Sequence, residues 1–382
     1  MIPVYQPYLN KKTLQYAHDA LDSTWISSTG KYLNLVEERL QELLGVKHVI
    51  LTNNGTTATH LVSFALEKVV ADKFNNKKID LIVPNNVYVA AWNAFLYNNK
   101  FNLKPIDANI DTWNIDLKLL DYELNFEQLF EPDPLEFERD KAVLIVHNLG
   151  NIINVPELQK KYPKITFVED CCEGFLGYYN NQYAGTSSLA SSFSFYGNKT
   201  ITSGEGGAVA VNDDDLYEYL MTLRGQGQSK TKFIHNVIGY NYRMTNIAAG
   251  ILYGQLEVLK EIINKKLNVF ARYDAAFCQI PKIQVQIAEE GTIPSNWMYG
   301  IRVVDSNLNY ELAEMYFKHA GIEVRPMFYP ITRHVHLKNY YNKKNITNAE
   351  ILNKQCIILP SYPELSEKDQ DYIIEKVKEY TK

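Results

Sequence analysis

A lysine set between apolar segments and a glycine cluster constrains this chain more than any other stretch. The run is Ser194-Phe195-Tyr196-Gly197-Asn198-Lys199-Thr200-Ile201-Thr202-Ser203-Gly204-Glu205-Gly206-Gly207. Residues 189–195 predict a strand before it, and Ala208-Val209-Ala210-Val211 predicts another after it. Lys199 thus sits on a connection between two buried strands, where a surface lysine is not expected. Desolvation there lowers an amine's pKa, and the neutral amine is the form that attacks a carbonyl to make a Schiff base. The glycines let backbone approach a ligand closely. A solvated lysine in a glycine-rich turn is the competing reading of this stretch.

The rest of the chain alternates strands and helices. Residues 49–52 predict a strand, and Asn53-Asn54-Gly55-Thr56-Thr57 turns into a helix with Ala58, Leu61, Val62, Ala65, Leu66 and Val69 on one face. A strand, a glycine turn and a helix start make an anion site; capping by Thr56 or Thr57 is the alternative. Further strands are predicted at 79–83, 101–106, 142–147 and 165–168, with a helix around 90–97 that follows the loop carrying Tyr88. This alternation argues a mostly parallel sheet covered by helices on both faces. Glu169-Asp170-Cys171-Cys172-Glu173 places carboxylates just past a strand, at the edge where open α/β sheets bind ligands. Asp170 there either holds a ring nitrogen protonated or caps a helix.

Residues 116–140, with Glu131-Pro132-Asp133-Pro134, read as a surface helix and loop; 224–228 reads as a flexible polar loop. Ser23 to Gly30 is a turn that serves either as plain connection or as a site edge. A long helix is expected from about 246 towards Cys278, capped by Thr245 or Asn246, with helices at 309–320 and 366–380 beyond it. At 382 residues two lobes are expected: 1–245 with an N-terminal polar arm, and 246–382 with the long helix and a smaller α/β domain.

A net charge of −5 argues against nucleic-acid or acidic-membrane partners, so an anionic ligand has to be met locally by helix ends and a few cations. Four cysteines without a CxxC spacing fit a reducing, cytoplasmic setting with neither disulfides nor a zinc site. The 27 tyrosines suit stacking on sugar, base or cofactor rings.

These pieces, in this order and over nearly the whole chain, resemble the DegT-like sugar-nucleotide aminotransferases. The matching stretches are Ser194–Gly207, Asn54–Thr57, Glu169–Glu173, Arg224-Gly225-Gln226-Gly227, Gly239-Tyr240-Asn241-Tyr242-Arg243-Met244-Thr245-Asn246 and Leu359-Pro360-Ser361-Tyr362-Pro363. The resemblance implies the fold type I architecture of pyridoxal 5′-phosphate enzymes, with a mixed, mostly parallel seven-stranded sheet and a smaller C-terminal domain. It implies that Lys199 carries the cofactor as a Schiff base and moves the proton, and that Asp170 pairs with the pyridinium nitrogen. It places Glu173 beside the ring, Tyr88 stacked on it, and Gly55, Thr56, Thr57 and Ser194 around its phosphate. Asn241 would reach that phosphate from a second subunit, making an obligate homodimer.

The implied reaction moves the amine of L-glutamate to a nucleotide-linked 4-keto-6-deoxy sugar, GDP-4-keto-6-deoxymannose first, with UDP- or dTDP-linked sugars as alternatives. Lys31, Arg243 and Arg325 are the candidate cations for the nucleotide diphosphate. A cofactor-dependent sugar dehydratase carries histidine at the lysine position, which Lys199 opposes. A non-catalytic regulatory protein has no need for the full set of Lys199, Asp170 and the phosphate turn. The family's usual alanine pair after the acid is Cys171-Cys172 here, both small. Its usual His-Leu-Tyr-Gly strand end is His147-Asn148-Leu149-Gly150, where His147 reads as structural.

Overall fold

The computed structural model describes residues 1–71, 78–130, 141–305, 309–341 and 347–382, with backbone alone at Ala71 and 126–130. Among them, β1 (His48–Thr52), β2 (Ile79–Pro84), β3 (Phe101–Ile106), β4 (Lys141–Val146), β5 (Thr166–Asp170), β6 (Ser191–Ser194) and β7 (Gly207–Val211) form the main sheet. Its order is β1-β7-β6-β5-β4-β2-β3. The pairings from β3 across to β6 are parallel, and β7 runs antiparallel to both β6 and β1. This is the mixed, mostly parallel seven-stranded sheet that the resemblance implies.

Strand periodicity sorts the side chains onto two cores. Ile50, Leu81, Val83, Leu144 and Val209 face the helix Gly55–Ala71, which presents Ala58, Leu61, Val62, Ala65 and Leu66. Their neighbours Val49, Leu51, Ala208 and Ala210 face the other way, onto Tyr32, Val36 and Leu40 of the helix Lys31–Leu44 and onto Leu252 and Leu256. Burying one such Leu or Val is worth roughly 1.5–3 kcal/mol, so a one-residue slip that exchanged the faces is strongly disfavoured.

A second, antiparallel sheet joins β8 (Ile283–Val285), β9 (Tyr299–Val303), β10 (Arg325–Pro326) and β11 (Cys356–Leu359) in the order β8-β9-β11-β10. Val269, Tyr273 and Phe277 pack on it from one helix, Ala313 and Phe317 from another, and Ile373 and Val377 from the last. The expected single long helix is two, Asn246–Glu257 and Leu259–Phe277, meeting at Val258 with φ −114° and ψ 15°. The break lets Leu252 and Leu256 serve the main-sheet core while Val269, Tyr273 and Phe277 serve the second one. Thr245 caps the first of them, its Oγ1 accepting from the Ala248 N–H at 3.3 Å.

Two local expectations change and a third is refined. The N-terminal arm is not simply polar: Val4 is buried, Ile2 bridges Ile322, and the Tyr5 hydroxyl donates to the Lys199 carbonyl at 2.7 Å. The helix Leu117–Phe130 lies at the surface as expected but is anchored by one face: Lys118, Leu119 and Tyr122 are exposed, while Leu120 and Leu124 are buried with Ile82 and Ile145; Glu131–Pro134 lies outside the described residues. The 224–228 stretch is tied down rather than loose. Gln226 N–H donates to Tyr240 at 3.0 Å, and Gly227 N–H to Thr222 at 2.8 Å. Gly227, at φ +71°, lies where a Cβ would come within 1.9 Å of the Val237 carbonyl oxygen, so only glycine fits.

The two sheets are also linked by Asp107, just past β3. Its carboxylate accepts from the N–H groups of Thr347, Asn348 and Ala349 at 2.9, 2.8 and 3.0 Å, holding the start of the helix Asn348–Gln355. Asp107→Ala is expected to destabilise the protein by about 2 kcal/mol, the upper end for loss of a charged helix cap. Urea unfolding of the variant against wild type measures it, and an unchanged midpoint would contradict the anchoring role.

Candidate active site

Parallel pairing of β5 with β6 sets Asp170 opposite Ser192. Asp170 and Ser194 therefore emerge at one edge of the sheet, where the helix Gly55–Ala71 also begins. The contact between them is close. A Cβ on Gly55 would lie 2.7 Å from Ser194 Cβ and 3.1 Å from Cys172 Sγ, so a residue with a side chain would push the helix start off the sheet.

The helix start is capped by Asn54, not by the threonines. Asn54 Oδ1 accepts from Thr57 N–H at 2.9 Å, and the Asn54 carbonyl from Ala58 N–H at 3.2 Å. The N–H groups of Gly55 and Thr56 remain for a ligand, at the positive end of the helix dipole. Thr57 turns inward, its hydroxyl donating to Asn53 Oδ1 at 2.7 Å, and does not line the cavity.

After β6 the chain turns and returns as β7, so the Lys199 loop is a hairpin connection with both ends in the sheet. Lys199 is half-buried; its Nζ lies 3.8 Å from the centre of the Trp297 indole. Trp297 Nε1 donates to the Asn198 carbonyl at 2.8 Å. One cavity of about 730 Å³ gathers Gly55, Thr56, Tyr88, Asp170, Glu173, Ser194, Lys199 and Arg325. Tyr88 stands 61% exposed at this cavity, its ring 6.2 Å from that of Phe328.

Other candidates lie elsewhere in this chain. Lys31 is exposed and paired with Asp19 at 2.7 Å. Arg243 Nε donates to Ser28 Oγ at 3.1 Å, which fixes the Ser23–Gly30 turn to the 239–246 stretch. Asn241 is exposed on the surface and bridges Gly225, open to a second copy of the chain. Met327 and Phe328, in the same stretch as Arg325, line the cavity, and so do residues not singled out from the sequence: Trp297 and Met298 ahead of β9, and His334. No local motif marks them, since the second sheet's packing brings them there.

The carboxylates differ in their surroundings. Asp170 accepts from the Cys172 N–H at 2.9 Å. Glu173 is pushed up to about 7 by burial, against the pull of the Lys199 ammonium and of the Leu149 N–H, which donates to it at 2.8 Å. Leu149 presents that N–H from a left-handed backbone, φ 54° and ψ 17°. Asn148 holds the turn, its Nδ2 donating to the Asn86 and Trp113 carbonyls, both at 2.9 Å. Burial keeps the Cys171 and Cys172 thiols well above their usual range.

His147 faces away from this chemistry. Its Nδ1 accepts from the Ile153 N–H at 3.1 Å, so its Nε2 carries the proton towards Glu169 Oε2 at 3.0 Å. Cys171 lies beside this pair, and all three are buried. With both ring nitrogens engaged, His147 braces the strand end.

The sequence profile of the DegT/DnrJ/EryC1/StrS aminotransferase family matches residues 7–378. The chain belongs to that family. It is 34% identical over 382 residues to the GDP-perosamine synthase of Escherichia coli O157:H7, covering 99% of this chain and 98% of that protein. It is 26% identical to Helicobacter pylori PseC, an aminotransferase of pseudoaminic acid biosynthesis, covering 98% of each chain with a TM-score of 0.86. Escherichia coli GDP-4-keto-6-deoxy-D-mannose-3-dehydratase, solved with bound hydrated PLP, shares the fold at 24% identity, with a TM-score of 0.86 over 98% of this chain and 99% of that one.

As a DegT/DnrJ/EryC1/StrS member, the chain offers donors that fit pyridoxal 5′-phosphate. Free N–H groups beside the Ser194 hydroxyl suit a phosphate, the cradle that a Gly55 Cβ would fill brings backbone close, and Asp170 and the Lys199 amine share the same cavity.

Glu173 generates a pH-dependent stability term in the cofactor-free protein. Its folded pKa of about 7 exceeds its ordinary 4.5, so the folded state binds more protons between these values and loses stability as pH rises through them. Glu173→Gln stays neutral. Its stability relative to wild type is expected to grow by on the order of 3 kcal/mol from about pH 4 to about pH 8, read by urea unfolding. A pH-independent difference would contradict the assignment.

Proposed function

We propose that this chain is a sugar-nucleotide 4-aminotransferase that moves the amine of L-glutamate to C4 of GDP-4-keto-6-deoxy-D-mannose, giving GDP-perosamine. The observation that carries the reading is the convergence of Lys199, Asp170, Ser194 and the Gly55–Thr56 helix start in one cavity of a chain whose full length matches GDP-perosamine synthases at 31–34% identity. The second-named relative of that kind, from Vibrio cholerae, is 32% identical over 100% of this chain and 99% of that protein.

Each residue has one task. Gly55 and Thr56 N–H groups and the Ser194 hydroxyl hold the phosphate of pyridoxal phosphate. Asp170 keeps the ring nitrogen protonated. Held so, the cofactor supplies an electron sink for the carbon that loses its proton. Lys199 Nζ takes that proton and returns it, acting as base and then acid. Glu173, raised by burial to about 7, would offer the ring's substituents a carboxyl that is still partly protonated near neutral pH, which limits the negative charge beside Asp170. Tyr88 covers the cavity mouth, and Arg325 meets the nucleotide diphosphate there. The Arg325 guanidinium is oriented by Glu323 at 3.6 Å, whose carboxylate also accepts from Val4 N–H at 2.9 Å.

The active form is a homodimer in which exposed Asn241 enters the phosphate site of the other copy. No helix among the described residues is long and apolar enough to cross a membrane.

Lys199→Ala is expected to lower turnover by about a thousandfold or more and to abolish the absorbance band that belongs to lysine-bound cofactor, leaving at most that of the free aldehyde. Asp170→Asn should lower turnover while leaving the cofactor bound. Wild-type turnover in either would refute its role. With glutamate as donor, the GDP-linked 4-keto-6-deoxy sugar is expected to be consumed faster than its UDP- and dTDP-linked counterparts in a product assay. Preference for UDP or dTDP would assign the other substrate class while leaving the chemistry intact.

A further inference from the structure

Lys266 is among the most deeply placed side chains of the molecule, 1% exposed on the helix Leu259–Phe277. Among the described residues it has no carboxylate partner. Its Nζ donates to the Trp297 carbonyl at 2.7 Å and to the Ser361 carbonyl. The rings of Phe270 and Tyr5 lie 5.1 and 5.6 Å from it. Burying an amine without a counter-charge is costly, and a methionine, one atom shorter, would satisfy packing alone. Burial pushes the Lys266 amine down to about 7, which measures that cost.

What the amine grips leads to the reacting lysine by two routes. Trp297, whose carbonyl it holds, places its indole 3.8 Å from Lys199 Nζ and anchors the Lys199 loop through Asn198. Tyr5, whose ring it faces, donates its hydroxyl to the Lys199 carbonyl. Ser361, which supplies the second carbonyl, fixes the start of β9 through its hydroxyl, whose Oγ accepts from Tyr299 N–H at 3.0 Å, two residues beyond Trp297.

We propose that Lys266 is a positioning residue for Lys199: its hydrogen bond to the Trp297 carbonyl fixes the indole on which the reacting amine rests. This rests on the reading of Lys199 as the cofactor-bearing amine, which Lys199→Ala tests by itself. The required property of residue 266 is a hydrogen-bond donor at that depth, and the side chain's bulk is secondary. Lys266 does not line the cavity, so it acts through Trp297.

The experiment compares Lys266→Met, of similar length but without a donor, with Lys266→Gln, which keeps one, each alone and with Trp297→Phe. The readouts are the rate of pyridoxal phosphate uptake by cofactor-free protein, followed by absorbance, and kcat and KM for the nucleotide sugar. Lys266→Met is expected to slow uptake and lower kcat by about tenfold, as misplacing a reacting group does, with KM within about twofold. Lys266→Gln should recover part of both rates. In the Trp297→Phe background, Lys266→Met should cost less than about twofold more, because the Trp297 route, through which the proposal has Lys266 act, is already cut. A folded Lys266→Met protein with wild-type uptake and kcat overturns the proposal, as do losses that simply multiply in the double variant. Should Lys266→Met fail to fold, Lys266→Gln against Trp297→Phe gives the same cycle, with the same additivity criterion.

Discussion

The parallel pairing of β5 with β6 decides where the chemistry lies. It aligns Asp170 with Ser192, so that Asp170 and, two residues further along β6, Ser194 reach the same edge of the sheet. The next connection reverses direction, and β7 pairs antiparallel with β6 from Ser191 to Ser194. Lys199 is thus held on a loop whose two ends are hydrogen-bonded strands of the sheet, where a crossover helix would have carried it away from the edge. Gly55 then closes the site from the other side, pressed so near Ser194 that its lack of a side chain is a packing requirement.

The second sheet completes the site from above. Trp297 lies just ahead of its central strand, and Arg325 begins β10. Both reach the same cavity as the main-sheet residues. The arm at residues 2–5 runs between the two parts, bonded to Gly321 and Glu323 on one side and to the Lys199 carbonyl on the other. Asp107 adds a separate tie through the helix Asn348–Gln355. The cavity's walls therefore come from segments far apart in the chain, and their relative placement depends on a few buried polar contacts.

What could be read from the chain beforehand follows this division. Lys199, Asp170, Ser194 and Gly55 were legible because each sits at a strand end or helix start, where local pattern fixes position. The main sheet was legible for the same reason, through its apolar runs. Thr57 was placed at the phosphate turn because its residue type suits it; which oxygen caps the helix depends on geometry, and Asn54 takes that task. The break at Val258 left no mark, since neither glycine nor proline stands there. Trp297, Lys266 and His334 were not legible as functional residues, because their relation to Lys199 exists only after distant segments pack. Leu149 is similar: its left-handed backbone follows from the Asn148 contacts around it.

The adjacent sulfurs at 171 and 172 have a consequence for the enzyme's durability. Cysteine reactivity belongs to the thiolate, and burial here holds both atoms as thiols. Cys171 is also buried, which withholds its oxidisable atom from peroxide or alkylating reagents, whereas Cys172 lines the cavity and is kept quiet by its protonation alone. Modification of Cys171 would report that the surrounding packing had already opened, which makes that one sulfur an internal sentinel of native order.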